Sequence, residues 1–228
     1  MIASVIRCVL ALAALLLTVV PADAQFIGRP TPRPGTMEFS GGVLFHGGSD
    51  EPNLAATLTR NPTTGSSPLQ LFTSDLELKP AFGLEARLGV YLTRRISIEG
   101  GAQVARPQLR ASLGGDFEEA QSVTATDTLT SYIFTGSILY HFGGPAKRSH
   151  PFLLAGAGHV RDLHEGGDLI ETGLEYHGGA GIKWWLGTGR PKFGVRGDVG
   201  VSLREGGYGT ADGRRIVPTA AFSFAYLF

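Results

Sequence analysis

The chain has 228 residues, and its 20 Lys and Arg balance its 20 Asp and Glu. This neutral balance argues against a nucleic-acid partner, which would call for a basic face. The only cysteine is Cys8, so residues 9–228 offer no disulfide, no thiolate metal ligand and no thiol nucleophile.

Residues 1–24 have the three parts of a secretory signal. Arg7 supplies the positive charge, residues 9–20 form an apolar run, and Ala22-Asp23-Ala24 is a small-x-small cleavage pattern. The apolar run is shorter than the roughly 20 residues that a membrane helix needs. Cleavage after Ala24 is predicted, which leaves 228 − 24 = 204 residues.

Two further segments follow the predicted signal. Residues 25–35 are rich in proline and glycine and predict a stiff periplasmic lead-in. From residue 36 to residue 228 the chain repeats one unit, a strand of about ten residues followed by a turn or loop, which predicts one all-β domain.

Period-two alternation identifies the strands. In the second strand the apolar residues from Phe82 to Leu92 alternate with residues such as Glu85 and Arg87. A helix would place these charges beside the leucines, so the period predicts a strand. The eight predicted strands cover about residues 36–46, 82–92, 96–104, 125–142, 151–162, 171–186, 192–204 and 215–228.

Two of these strands are predicted to extend beyond the membrane. Leu76 and Leu78 continue the second strand in phase, whereas Leu109 and Leu113 continue the third strand with the opposite phase. A bulge at Arg106-Pro107 would explain that reversal.

The predicted connections alternate in length. Those at 94–95, 143–150 and 187–191 are short, and most of those at 47–75, 114–124, 163–170 and 205–214 are longer. Outer-membrane barrels have short periplasmic turns and longer external loops, so both chain ends are predicted on the periplasmic side.

The two faces of the strands predict what lies inside and outside the barrel. The apolar face carries aromatic residues near the short turns, which is typical of a lipid–water girdle. These are Tyr140, Phe142, Phe152, Trp184, Phe193, Tyr226 and Phe228. The polar face carries five acids and five bases, which predicts an ion-pair network in a closed lumen. These are Glu38, Glu85, Arg87, Glu99, Arg161, Glu175, Lys183, Arg196, Asp198 and Arg204.

The strand count, the loop asymmetry and the final aromatic residue resemble the small eight-stranded outer-membrane barrels of the OmpA/OmpX type. The resemblance implies an antiparallel up-and-down transmembrane β-barrel in contact with outer-membrane lipid and lipopolysaccharide. It also implies that Phe224, Tyr226 and Phe228 are read by the barrel-assembly machinery during biogenesis. Together with Phe222, these aromatics are expected to face lipid.

An eight-stranded lumen is just wide enough for side chains to fill. A plugged barrel with a structural or surface-interaction role is therefore predicted, and the alternative is a narrow pore for ions or small solutes. A soluble periplasmic barrel is less favoured, because an inverted barrel would crowd the aromatic rings inside.

Catalysis and metal binding are not predicted. A lipid A-modifying enzyme would need a nucleophile held against a base, and the segment with His164, Glu165 and Asp168 has no adjacent serine. His46, His159 and His177 share the predicted polar face but lack a chelating spacing, so no metal or cofactor is expected.

The longer loops at 47–75 and 114–124 are the predicted place for an extracellular ligand. Leu69-Gln70-Leu71-Phe72 lies within the first of these loops. It predicts either a binding patch or packing onto the rim, and the sequence does not separate the two.

Overall fold

The computed structural model describes most of the chain beyond the predicted signal. It covers residues 32–58, 69–114, 121–142, 148–165, 169–186, 192–206 and 214–228, with the backbone alone for 51–58 and 69–71. Within these ranges no helix is long and apolar enough to cross a membrane. The predicted signal at 1–24 lies outside the described residues.

The described residues form eleven strands and no helix. The strands are β1 (Met37–His46), β2 (Ser49–Leu58), β3 (Leu69–Leu78), β4 (Ala81–Tyr91), β5 (Ile96–Ala105), β6 (Gln108–Gly114), β7 (Val123–His141), β8 (Ser149–His164), β9 (Ile170–Trp185), β10 (Phe193–Gly206) and β11 (Arg214–Leu227).

Eight of these strands close into an antiparallel barrel. Their order around the wall is β1-β4-β5-β7-β8-β9-β10-β11, and β11 pairs back onto β1. This closing ladder runs from Glu38 opposite Leu227 to His46 opposite Thr219. The predicted eight-stranded barrel is confirmed, and each predicted strand overlaps an observed one.

The register sets the tilt of the strands. Starting at Glu38 of β1 and moving from each residue to its partner on the next strand, one passes around the barrel and reaches Val217 of β11. In the β1–β11 ladder His46 is opposite Thr219, so Val217 corresponds to position 48. The return point is therefore 48 − 38 = 10 residues from the start, a stagger that corresponds to a tilt of about 40°. At about 3.3 Å per residue, the ten residues of β1 then rise about 25 Å, the height of a lipid-facing band.

The outer wall is apolar, because successive side chains of a strand point to opposite faces. Outward positions carry large hydrophobic residues that stay exposed, whereas inward positions are buried and many of them are polar. Fully exposed apolar surface on this scale marks a membrane interface. We call these outward residues the apolar belt: Phe39, Val43, Phe82, Leu84, Leu88, Ile98, Phe134, Ile138, Tyr140, Leu153, Leu174, Tyr176, Trp184, Phe193, Phe222 and Phe224.

Half of the wall continues beyond the barrel as a second sheet. The strands β2, β3 and β6 pair with one another in order, and β6 pairs with residues 123–128 at the start of β7. We call these four segments the extension sheet. The predicted loop at 47–75 therefore contains two strands, which carry the wall past the rim.

The hydrophobic pattern reverses where the wall leaves the barrel, but the predicted bulge at Arg106-Pro107 is wrong. The pairing of β7 with β5 and with β6 follows one continuous register, so the backbone phase is unchanged at that point. Ala105 and Leu109 both face inward. What changes is the surroundings, since the outward face meets lipid below this level and water above it.

The irregularity lies instead at Lys79-Pro80, between β3 and β4. Leu78 is buried, whereas Phe82 points outward and is exposed. The register between these strands and their neighbours shifts by one residue, from Gly83 opposite Ala105 to Leu78 opposite Leu109. The prediction that Leu78 keeps the phase of the second strand is therefore wrong.

The strand β8 also faces differently from the prediction. Residues paired across antiparallel strands share a face, and Phe152 is opposite His141, which faces the lumen. The even-numbered residues of β8 therefore point inward. Phe152 is buried in the lumen and is not part of the girdle, while His159 and Arg161 lie on the outer wall.

The seam between β1 and β11 can be tested with two neighbouring glycines. A Cβ at Gly42 would collide with the backbone oxygen of Phe222 and lie 2.5 Å from Cα of Ser223, whereas one at Gly41 meets nothing closer than 3.6 Å. We expect Gly42→Ala to lower the free energy of unfolding by about 1–3 kcal/mol. Gly41→Ala is the matched control. Urea unfolding of the refolded barrel would measure both, and equal stability of the two variants would contradict the seam geometry.

Candidate functional site

The centre of the lumen holds a cluster of charges around Arg196. This side chain is 1% exposed, and its guanidinium contacts Glu99 at 2.6 Å and Asp198 at 2.9 Å. The strands β10 and β5, which carry Arg196 and Glu99, lie four places apart among eight and so on opposite walls. The pair therefore spans the lumen.

Arg87 of β4 completes this cluster. Its guanidinium lies 3.1 Å from Asp198, 2.6 Å from Glu85 and 3.8 Å from Glu99. Two arginines and three carboxylates thus share one layer. Because a buried charge needs a partner to offset its lost hydration, the cluster holds each arginine against at least two acids.

A second charge layer lies closer to the chain ends. The Lys183 ammonium, on β9, is 2.7 Å from one oxygen of Glu38, and the Tyr91 hydroxyl donates a hydrogen bond of 2.9 Å to the other. Lys183 is 2% exposed. Since β9 and β4 are also on opposite walls, this layer crosses the lumen as well.

An aromatic ring lies between the two layers. The Phe152 ring has the Arg196 guanidinium 4.8 Å from its centroid and the Lys183 ammonium 5.4 Å away. A cation over an aromatic face is stabilised by the ring quadrupole, more strongly when both groups are desolvated. The inward orientation of Phe152 thus links both charge layers.

A third layer lies toward the extension sheet. Arg204 donates a hydrogen bond of 2.8 Å to Glu175 and another of 3.1 Å to Nδ1 of His46. His177 bonds Ser137 at 2.8 Å and lies 3.7 Å from Glu175. These contacts join β1, β7, β9 and β10.

A small cavity separates the central and outer layers. It measures about 50 Å³ and is lined by residues that include His46, Glu85 and His177. Each of the three has one buried polar atom without a hydrogen-bond partner among the described residues. This space suits a few water molecules.

Apolar side chains lie on both sides of the charged layers. Tyr91, Trp185, Ala225 and Leu227 form a buried cluster beside the chain ends. At the opposite end Leu78, Leu109 and Leu129 form a second one.

Nine of the ten charged residues predicted for the lumen lie there, and Arg161 does not. Sequence reasoning missed Phe152 and Trp185 as lumen residues. The alternation could have found Trp185, because its neighbour Trp184 faces outward. For Phe152 no such signal exists, since the Ala155-Gly156-Ala157-Gly158 run of β8 has no contrast between faces.

The rim holds a separate histidine cluster. Nδ1 of His164 is hydrogen-bonded to Asp127, and its Nε2 lies 3.8 Å from Glu171. The distance to Glu171 is longer than a hydrogen bond, and Nε2 is buried without a hydrogen-bond partner among the described residues. Glu165 is exposed, and Asp168 lies outside the described residues. Among the residues that the structure describes, no three His, Asp or Glu side chains could hold a metal ion.

The four terminal aromatics lie on the outward face of β11. Phe222, Phe224 and Phe228 are exposed, and Tyr226 is partly covered. The Tyr226 ring packs against Phe228 at 5.1 Å and against Phe193 of the neighbouring strand at 4.8 Å. A ladder of rings thus follows the last strand down to the end of the barrel.

The same fold occurs in solved outer-membrane proteins. OprG from Pseudomonas aeruginosa is 12% identical, covers 90% of this chain and 99% of its own, and superposes with a TM-score of 0.58. The Yersinia pestis attachment invasion locus protein Ail, in complex with the heparin analogue sucrose octasulfate, is 15% identical with 86% and 99% coverage and a TM-score of 0.46. AlkL, solved in DMPC lipid bilayers, is 15% identical with 92% and 96% coverage and a TM-score of 0.42.

No protein-family model matches the sequence, and no curated protein is detectably similar to it. The structural likeness at these identities concerns the fold. Fold and surface agree, because a closed barrel with an apolar belt is the form in which strands cross a membrane. The chain is an eight-stranded β-barrel of the outer-membrane type.

Proposed function

We propose that this protein is a sealed outer-membrane barrel that carries a structural or surface-interaction role and does not catalyse a reaction. The observation that carries the proposal is the Arg196 side chain, which is fully buried and joins opposite walls of the lumen. With Arg87 and the Lys183–Glu38 pair, it supports a lumen bridged by side chains at two levels.

The alternative is a narrow pore for ions or small solutes. A pore would need a wet path, and open aqueous channels belong to barrels of about 16 strands. Here the charged layers lie between the apolar clusters of Tyr91 with Trp185 and of Leu78 with Leu109. These clusters favour the sealed barrel over the pore.

The proposed surface role rests on the extension sheet. Its outer face is polar, with residues such as Thr124, Thr126 and Arg110, and it rises above the apolar belt. An extracellular ligand would contact the segments 47–75 and 114–124, and Phe72 within the Leu69–Phe72 patch is exposed. The further proposed partners are lipopolysaccharide around the barrel and the barrel-assembly machinery during biogenesis.

The sealed lumen predicts the absence of steady conductance. The purified barrel, inserted into planar lipid bilayers, should show no discrete long-lived openings, because ion pairs join opposite walls of the lumen at two levels. A general porin inserted into the same bilayers is the positive control. Steady openings of uniform size would contradict the proposal and favour the pore.

The buried Lys183–Glu38 pair predicts that removing one charge destabilises the barrel more than removing both. Lys183→Met leaves the Glu38 carboxylate buried without its cation and should lower the free energy of unfolding by about 3–5 kcal/mol. Combining Lys183→Met with Glu38→Gln should restore most of that loss, because no buried charge then remains. Urea unfolding in lipid vesicles, followed by tryptophan fluorescence, measures both.

The matched control for this cycle is Lys192→Met. Lys192 directly precedes β10 and its side chain is exposed, so its replacement should change the free energy of unfolding little. If Lys183→Met were as harmless as this control, the lumen pair would not be buried as described.

The terminal aromatic predicts an assembly defect. Phe228→Ser should reduce the amount of heat-modifiable barrel in the outer membrane, if the ring is read during assembly. Phe134→Ser is the control, because Phe134 has similar exposure on the same lipid-facing surface but lies far from the chain end. Equal membrane amounts of the two variants would remove the special role of Phe228.

A further inference from the structure

The lipid-facing wall carries a groove on the outside of the barrel. It measures about 500 Å³ and is lined by residues of β1, β4, β5, β7 and β8. Its edges are the exposed apolar side chains of Met37 and of the belt residues Leu88, Ile98 and Ile138. The Glu99 and Ser137 side chains also belong to this part of the wall but point to the lumen, where Glu99 pairs with Arg196.

The groove exists because two outward glycines lie directly opposite each other. Gly100 of β5 pairs with Gly136 of β7. On the two flanking strands, Leu88 of β4 is opposite Gly100 and Ala157 of β8 is opposite Gly136. Two residues farther along these strands, Ile98 pairs with Ile138, and both side chains project outward from the wall. Two adjacent positions without side chains thus leave a depression two strands wide.

The backbone does not require glycine at these positions. A Cβ at Gly136 would meet nothing within 4 Å, and one at Gly100 only a backbone oxygen at 4.0 Å. Both glycines have ordinary extended conformations, since the positive φ angles of the described residues occur at Gly35 and Gly206. The groove is therefore not a by-product of tight packing between strands.

The groove is continuous with the apolar belt, so it opens into hydrocarbon. Water has no hydrogen-bonding partner there, because the edges are aliphatic and the backbone groups of the floor are paired in the ladder. The surrounding hydrocarbon must fill the space. Burying an acyl chain in a groove also gains dispersion contacts that a smooth wall does not offer.

The position of the groove indicates which lipid supplies the chain. Met37 is the first residue of β1, Leu88 is near the end of β4, and Ile98 is near the start of β5. The groove therefore lies in the half of the barrel beside the chain ends and short turns, which is the periplasmic half. The periplasmic leaflet of an outer membrane consists of phospholipid.

We propose that this groove binds one acyl chain of a phospholipid from the periplasmic leaflet. The proposal rests on the proposed outer-membrane location of the barrel. The occupant is a hydrocarbon chain, held by Met37, Leu88, Ile98 and Ile138 over the floor of Gly100 and Gly136.

The test fills the groove without disturbing the fold. Gly136→Leu places a side chain in the groove, where the backbone leaves room for it. Gly197→Leu is the matched control, because Gly197 also faces lipid and has nothing within 4 Å of a Cβ, but does not line the groove. Each protein is refolded into vesicles of phosphatidylethanolamine and phosphatidylglycerol without lipopolysaccharide, then extracted in mild detergent for native mass spectrometry.

We expect the unmodified barrel and Gly197→Leu to retain one phospholipid, and Gly136→Leu to lose it. Equal retention by all three proteins, or by none, would overturn the proposal. A lipid-free dimer that Gly136→Leu converts into a monomer would also overturn it, since a second copy would then fill the groove. Heat-dependent gel mobility of the same samples tests membrane insertion separately. Normal gel mobility without a retained phospholipid would contradict only the lipid site, whereas absent heat-dependent mobility would contradict the membrane barrel itself.

Discussion

The structure depends on the hydrogen bonds that join β11 to β1. Inside a membrane no water can satisfy a free strand edge, so a sheet can cross only as a closed ring. Closure with eight strands and a ten-residue stagger fixes the radius and the tilt of the wall. From that one constraint follow an apolar exterior, a narrow interior, and the position of each side chain on one side of the wall or the other.

The narrow interior explains the charged layers. Side chains from opposite walls reach one another across an eight-stranded lumen, so a charge on one wall can meet a partner on the other. Arg196 and Lys183 are long enough to do so and reach Glu99 and Glu38. Buried ion pairs of this kind add little net stability, but losing one member is costly. The layers therefore favour one arrangement of the wall over alternatives that would leave a charge unpaired.

The upper edge of the membrane is visible as a change in hydrophobic pattern. Along β5 and β6 the backbone keeps one phase, yet apolar residues point outward up to Val104 and inward from Leu109. The apolar residues move from the outward to the inward face because lipid surrounds the barrel and water surrounds the extension sheet. The same physical rule, burial of apolar surface away from water, gives opposite faces on the two sides of the boundary.

Alternation along each strand is sufficient to predict the eight strands of the barrel, most of the outward aromatics and the inward position of nine of the ten charges, because period two is a local property. It failed on β8, where the Ala-Gly run hides the contrast between faces, so Phe152 and Arg161 were placed on the wrong sides. It also misplaced the bulge, since a reversal of pattern does not distinguish a backbone shift from a change of solvent. The partners of Arg196 and the pairing of the glycines under the lipid groove depend on register between distant strands. Register is set when the ring closes, and only the tertiary structure contains it.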